Sequence, residues 1–342
     1  MEKVRLGKTN LTVTRLGWGG IPIQRVGEEE GVSVIRAVIE MGVDLFDTAR
    51  AYTNSERRVG LALQKVGKPV VLSTKSTNKT SKIYDDVHES LKQLKVKKID
   101  IYHLHNIVKL EEYEKVMGPG GAYEGLMRAK GEGLIGHIGM TSHSLPLLEK
   151  ALEEGRFEVI MVCYSFLEPE AGKRVIPLAK EKDIGVMAMK PFSGGVIEEA
   201  GPALRYVLQT KEIVPIPGSE TLERARENWR VFTEGGPLTG KDQERIEALR
   251  KQFDRQFCRR CDYCQPCSEG INIQMAVGMK SVITRFGPMA QELKWLLDII
   301  EKARNCTECG QCLDRCPYQL PIPDLIKENL EWYDRNVPPK SQ

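Results

Sequence analysis

The sequence of 342 residues contains no stretch near the roughly 18 uninterrupted apolar residues that a membrane-spanning helix needs. Its start, MEKVRLGKTN, has none of the apolar core of a secretory signal. These two absences predict a cytoplasmic protein without a membrane partner. An excess of one charge is missing as well: 50 Lys and Arg against 47 Asp and Glu leave +3, too small and too dispersed to predict a nucleic-acid partner. With 41 % hydrophobic and 28 % charged residues and no low-complexity tract, the chain is not of a disordered, collagenous or coiled-coil type. Cysteine is nearly missing from the first 257 residues, which hold Cys163 alone, whereas the other eight lie in the last 85. A secreted disulfide scaffold is short and has no long cysteine-poor segment ahead of it, so this clustering reads as metal ligation in a second domain. Cys163 itself reads as a small buried hydrophobe.

What is present in the first 217 residues is an alternation of short apolar runs and segments of helical period. The runs at 15–18, 43–47, 70–75, 99–105, 136–141, 159–164, 185–190 and 213–217 have the continuous apolar character of buried parallel strands. Between them lie amphipathic segments such as 81–94, with Ile83, Val87, Leu91 and Leu94 on one face, and 145–154 behind the N-cap candidate Ser144. Eight such units in about 220 residues predict an α/β fold, a closed (β/α)8 TIM barrel. An open doubly wound sheet has no support, since no G-x-G-x-x-G follows the first strand. A further helix runs from a cap at Thr239 through Phe253, with no flexible linker after it. Two domains are expected, a barrel over 1–254 and a cysteine domain over 255–336, with the tail 337–342 frayed.

The cysteines form two runs, Cys258-x2-Cys261-x2-Cys264-x2-Cys267 and Cys306-x2-Cys309-x2-Cys312-x3-Cys316-Pro317. Three cysteines at two-residue gaps wrap one loop around a compact cubane and leave a fourth ligand to come from elsewhere, whereas tetrahedral zinc favours two separated C-x2-C pairs. The second run resembles the bacterial-type two-cluster ferredoxin motif, and the first differs in a gap of two before its last Cys and in Ser268 where that motif has Pro. The resemblance implies two [4Fe–4S] clusters, each run giving its fourth Cys to the other. One would take Cys258, Cys261, Cys264 and Cys316, the other Cys306, Cys309, Cys312 and Cys267. Leu293, Leu296, Leu297 and Ile300 recur at helical spacing, which predicts an α-helical ferredoxin-like iron–sulfur domain with Trp295 in its core.

Three of the barrel runs end in ionisable residues that a core does not want: Asp47, Lys75 and His105. The C-terminal ends of barrel strands are where such folds place their chemistry, so the three together form a candidate site. His103, two residues before His105 on the same face, reads as a structural histidine, with a substrate-facing role as the alternative.

Gly42-Val43-Asp44-Leu45-Phe46-Asp47-Thr48-Ala49, followed by Tyr52 and Ser55-Glu56, resembles the aldo-keto reductase signature. Leu72-Ser73-Thr74-Lys75, Ile101-Tyr102-His103-Leu104-His105 and the opening Leu6-Gly7-Lys8-Thr9 are similar to that family's segments, and the cysteine-rich extension to its iron–sulfur sub-group. The resemblance implies an NADP(H)-dependent oxidoreductase for a small aldehyde or ketone and its alcohol, with catalytic Asp47, Tyr52, Lys75 and His105. In that reading Tyr52 is the acid, Lys75 favours its phenolate, Asp47 holds Lys75 charged, and His105 positions the carbonyl oxygen. For the coenzyme it implies Thr141 and Ser142 at the nicotinamide, Lys190 and Phe192 near the diphosphate, and Gly218, Ser219, Arg224, Glu227 and Asn228 at the nucleotide, with Arg224 on a 2′-phosphate. Met161 and Met189 stand where the family has a Gln and a stacking aromatic. Two other functions stay open: an electron-transfer module linking NADPH to a redox partner protein, and a nucleotide-sensing barrel with structural clusters.

Overall fold

The computed structural model describes residues 2–337, the side chains of 285–289 excepted, and divides into two compact units, Met1–Ile246 and Glu247–Gln342. Of the expected frayed tail, all but Val337 lies outside the described residues. Among the described residues no helix is long and apolar enough to cross a membrane.

The first unit opens with a hairpin of β1 (Lys3–Arg5) and β2 (Thr12–Thr14). Eight parallel strands follow: β3 (Trp18–Gly19), β4 (Leu45–Asp47), β5 (Val71–Ser76), β6 (Ile99–Leu104), β7 (Ile135–Thr141), β8 (Val159–Cys163), β9 (Gly185–Met189) and β10 (Ile213–Pro215). The first of them starts later than the apolar run at 15–18, because residues 12–14 pair back into the hairpin and 15–17 serve as its link to the barrel. Helices α1 (Glu28–Met41), α2 (Ser55–Val66), α3 (Ile83–Leu94), α4 (Leu110–Met117), α5 (Ala122–Gly131), α6 (Leu145–Glu154), α7 (Val175–Glu181), α8 (Ala200–Leu208) and α9 (Leu222–Glu234) alternate with the strands, and α10 (Gly240–Gln252) follows. On α3 the residues at helical spacing, Ile83, Val87, Leu91 and Leu94, are the buried ones. The helix after Ser144 begins at the expected position, with no capping bond from the Ser144 side chain.

The sheet closes on itself. Gly17 N donates to Pro215 O at 2.9 Å and Gly19 N to Pro217 O at 3.1 Å, and Gly19 bridges Gly218 in parallel. A side chain has no room in this seam: a Cβ on Gly19 would stand 2.7 Å from Ile216 O. The hairpin shuts the N-terminal end of the barrel, where Lys8 N donates to Asp183 O at 2.6 Å and Thr14 N to Asp44 Oδ1 at 2.5 Å. Leu6 and Val13 join Leu45, Ile101, Val159, Met187 and Val214 in the interior. Because side chains alternate along a strand, the inward set of each strand continues from this apolar floor toward the opposite, C-terminal mouth.

The second unit is helical, with no strand among its described residues: α11 (Ile273–Val277), α12 (Met279–Phe286), α13 (Lys294–Ala303), α14 (Gln311–Arg315) and α15 (Ile322–Asn336). Its core holds Ile273, Ala276, Met279, Leu296, Ile300 and Ile326 together with Cys264 and Cys316. Trp295 is not part of it. The three-and-four spacing of α13 turns Leu296, Ile300 and Ala303 inward, and Trp295 on the other side of the helix is 46 % exposed.

The seam yields a stability prediction. Gly19→Ala forces a methyl group against the Ile216 carbonyl oxygen, and the urea unfolding midpoint is expected to fall by an amount equivalent to about 1–3 kcal/mol; an unchanged midpoint would contradict the tight closure.

Candidate active site and iron–sulfur ligands

Strand register decides which side chains meet inside the barrel. Asp47 on β4 lies opposite Ser73 on β5, Lys75 opposite His103 on β6, and His103 opposite Gly139 on β7. Lys75 and Asp47 are buried, 1 % and 3 % exposed, and the Lys75 Nζ donates to Asp47 Oδ2 at 2.5 Å and to Thr48 O at 2.7 Å. Charges at that depth persist only when paired and hydrogen-bonded. Ser73 Oγ donates to the second carboxylate oxygen, Asp47 Oδ1, at 2.8 Å and lies 3.0 Å from His103 Nε2.

Tyr52 comes from the loop after β4, where no periodicity marks it. The loop is tied to β5 by Thr48 N on Ser73 O and Arg50 N on Lys75 O, both 2.9 Å, and Tyr52 N returns to Ala49 O at 3.0 Å. Lys75 Nζ is then 4.9 Å from the Tyr52 ring centroid, and the Tyr52 and His105 rings meet edge to face at 5.8 Å. The structure therefore brings all four predicted residues together.

Their electrostatics follow from burial. Burial is the largest influence on Lys75 and disfavours its ammonium, yet Asp47 and Tyr52, by charge and hydrogen bond, outweigh it and hold the pKa above the ordinary lysine value. Burial raises the Asp47 carboxyl, with Lys75 and the Ser73 hydroxyl opposing. For His105, burial first and the Lys75 charge second pull the pKa down to about 3, and His103 is lowered well below the usual value by burial, by Lys75 and by His105. Both imidazoles are neutral at neutral pH. A phenol beside a buried ammonium, with a neutral imidazole against its ring, is equipped to pass a proton and to hold an oxygen.

The residues predicted for a nucleotide fall into three groups. Gly218 and Ser219 follow β10, where Ser219 Oγ accepts from Trp18 Nε1 at 3.1 Å, and Arg224, Glu227 and Asn228 lie on α9. The Arg224 guanidinium donates to Glu198 O at 2.7 Å and to Glu227 Oε2 at 2.9 Å, while Asn228 is buried with its Oδ1 lacking a partner among the described residues. At the end of β7, Thr141 Oγ1 accepts from Asn106 N at 2.7 Å and Ser142 Oγ donates to Ile107 O at 2.6 Å. After β9, Lys190 Nζ meets His143 Nε2 at 2.7 Å, and Phe192 packs on Leu16, Leu204, Val231 and Phe232. Met161 is buried in the barrel core, with Met189 partly buried against it. Cys163 is buried, as its composition-based reading has it.

In the second unit the eight cysteines surround two hollows. Cys258, Cys261, Cys264 and Cys316 line one, and Cys267, Cys306, Cys309 and Cys312 line the other. The Cys264 thiol is pushed up by burial and then by negative charge on Cys258, Asp262, Cys261 and Cys316. Cys312 is raised by burial and by Cys306, Cys309 and Cys267. Cys309, exposed, is lowered by the backbone N–H of Gln311. Four thiolates around one hollow repel each other unless a cationic group joins them. That donor set suits a multi-iron cluster in each hollow.

Fold and sequence together define a barrel oxidoreductase with a candidate acid–base centre, followed in the chain by a helical iron–sulfur unit. The chain belongs to the aldo/keto reductase family, whose model matches residues 14–201, and residues 257–320 match a 4Fe-4S dicluster domain. It is 25 % identical over 301 residues to L-galactose dehydrogenase of Arabidopsis thaliana, covering 73 % of this chain and 93 % of that protein. In fold it is similar to an aldo-keto reductase from Bacillus halodurans in its holo form, with a TM-score of 0.62 and 23 % identity over 73 % of this chain and 96 % of that one. An aldo/keto reductase from Klebsiella pneumoniae in complex with NADP and acetate gives a TM-score of 0.60 at 20 % identity, over 72 % of this chain and 94 % of that one.

The depressed histidines set a pH dependence. A histidine that stays neutral in the folded state contributes its full stability above the unfolded pKa of about 6.5 and loses it as pH falls toward the folded value. The urea midpoint is therefore expected to drop between pH 7 and pH 5 more in the wild type than in His105→Gln. Nitrogen-15 NMR would show His105 still neutral at pH 5; a midpoint near 6.5 would contradict its burial.

Proposed function

We propose that this chain is an NADP(H)-dependent oxidoreductase that interconverts a small aldehyde or ketone and its alcohol. In this reading its reductase domain spans 1–254, and its 255–336 domain carries two [4Fe–4S] clusters that exchange electrons with a redox partner protein. The observation that carries the reading is the buried Lys75–Asp47 pair, 2.5 Å apart, beneath Tyr52.

When bound, NADPH supplies the hydride. Tyr52 gives its phenolic proton to the carbonyl oxygen, and the Lys75 ammonium stabilises the phenolate left behind. Asp47 keeps Lys75 charged and oriented. His105, neutral, donates a hydrogen bond to the substrate oxygen and fixes its approach. In the direction of oxidation the Tyr52 phenolate takes the alcohol proton.

Residues of the first unit fit the coenzyme. The buried Asn228 Oδ1 is an acceptor in want of an amine donor such as adenine offers. Arg224 on α9 suits a 2′-phosphate, although it must exchange its bond to Glu227 for that anion. Gly218 and Ser219 lie beside them in the chain, Thr141 and Ser142 would face the nicotinamide, and Lys190 and Phe192 would lie toward the diphosphate. In the second unit Cys258, Cys261, Cys264 and Cys316 would hold one cluster and Cys267, Cys306, Cys309 and Cys312 the other, the partition seen in the two hollows.

Tyr52→Phe is expected to lower NADPH-dependent carbonyl reduction by about 10²–10⁴-fold while leaving NADPH binding, read by fluorescence titration, unchanged; full activity in that variant would overturn the catalytic reading. Protein purified without oxygen should contain about eight irons, four per cluster, and Cys316→Ser should lose iron from one hollow. An electron paramagnetic resonance signal after addition of NADPH and a partner carrier would support electron exchange, and its absence with every carrier and reductant would leave the clusters without that role.

A further inference from the structure

We propose that Ser73 and His103 are positioning residues of the reductase centre: His103 fixes the direction of the Ser73 hydroxyl, which holds Asp47, and through it Lys75, beneath Tyr52. The proposal rests on the reading of Tyr52 and Lys75 above and adds two residues that touch neither substrate nor coenzyme.

It follows from counting protons. Ser73 Oγ lies between Asp47 Oδ1, at 2.8 Å, and His103 Nε2, at 3.0 Å. A hydroxyl has one proton, and a carboxylate paired to an ammonium only accepts, so the Ser73 proton points at Asp47. His103 is then the donor, with its proton on Nε2 and Nδ1 bare. The bare nitrogen is where the structure shows it: Nδ1 is buried without a partner among the described residues. It faces Gly139, where a Cβ would come within 2.2 Å of it. The opposite tautomer would take the Ser73 proton for the imidazole and leave two groups unpaired inside the barrel, the charged Asp47 Oδ1 and the Nδ1 N–H. The first tautomer leaves a single neutral nitrogen lone pair, and the charged group is the more costly to leave unmet. The doubly protonated ring is excluded by its burial and by the Lys75 charge nearby.

The consequence reaches Lys75. The titratable groups that face its ammonium are Asp47 from β4, Tyr52 from the loop, and His103 and His105 from β6. Asp47 is the carboxylate among them, and the Ser73 hydroxyl fixes one of its oxygens while Lys75 takes the other. Without that anchor the carboxylate is free to turn or to take a proton, and the buried ammonium loses the charge that sustains it. Lys75 then gives up its proton at lower pH.

The test uses the holoenzyme with Ser73→Ala, His103→Leu and His103→Gln, whose amide N–H can donate to Ser73. In Ser73→Ala and His103→Leu, kcat is expected to fall about 10-fold to 100-fold with KM little changed, since misplacement of a catalytic group costs on that order. The alkaline limb of the kcat profile should move to lower pH by about one unit, as the loss of a neighbouring charge does. His103→Gln should recover most of both. Two readouts need no activity: carbon-13 NMR should show the same downward move of the Lys75 titration in Ser73→Ala, and nitrogen-15 NMR of the unmutated protein should show the His103 proton on Nε2. A proton on Nδ1, or an unmoved alkaline limb and Lys75 titration in a folded Ser73→Ala protein, would overturn the proposal. So would a kcat loss that tracks only a lower unfolding temperature. Activity retained in Tyr52→Phe would instead sink the catalytic reading, leaving the NMR results to judge the arrangement alone.

Discussion

A lysine ammonium and an aspartate carboxylate in contact inside a barrel impose conditions on everything around them. Removing each charge from water costs several kcal/mol, which their attraction recovers only when the remaining hydrogen-bonding positions are filled. The fold fills them with groups that are themselves fixed: Thr48 O from the start of the loop after β4 and Ser73 Oγ from the neighbouring strand. Those positions exist because β4 and β5 pair with Asp47 opposite Ser73, and a slip of either strand by one residue would turn its own member of the pair out of the barrel. The tight glycine seam between first and last strands and the hairpin floor hold that register from either side. The geometry of the Lys75–Asp47 pair is thus a property of the closed sheet first, with the loop after β4 supplying Thr48 O.

Much of this was legible in the sequence. Continuous apolar runs marked buried parallel strands, and ionisable residues at the ends of three of them marked the mouth. Tyr52 carried no such mark. It lies in an irregular loop, where no period applies, and it came only from the resemblance of the segment around it. The pairing of His103 with Ser73 was hidden for another reason: spacing along a strand tells which face a residue takes but not which neighbour it meets across the sheet. Trp295 shows the reverse limit, since a run of four apolar residues at helical spacing had drawn an adjacent aromatic into the expected core, while the helix turned it to solvent. The (β/α)8 architecture was predicted as a whole, but the hairpin of residues 3–14 was not anticipated, and the first barrel strand, expected over 15–18, begins only at Trp18.

The residues proposed for the nucleotide, and the methionines near them, show how a shared fold tolerates altered chemistry. Met161 lies in the apolar packing of the barrel, and Met189 borders it, at positions where a polar and an aromatic side chain are usual in the family. A thioether conforms to what it touches and stacks less rigidly than a ring. Arg224 and Glu227 satisfy one another on α9, so an anion arriving there competes with an internal ion pair half open to water. Such a pair is worth little at the surface, and the exchange costs correspondingly little.

The interleaving of the two cysteine runs bears on how the protein is made. Neither run completes its own hollow: Cys316 closes the one that begins at Cys258, and Cys267 closes the one built by Cys306, Cys309 and Cys312. A nascent chain that has emerged only as far as the first run holds three of four sulfurs for one site and one of four for the other. Neither hollow therefore has its full set of sulfurs until synthesis has passed the second run, residue 312 for one and residue 316 for the other, so the first run cannot be loaded with iron while it stands alone.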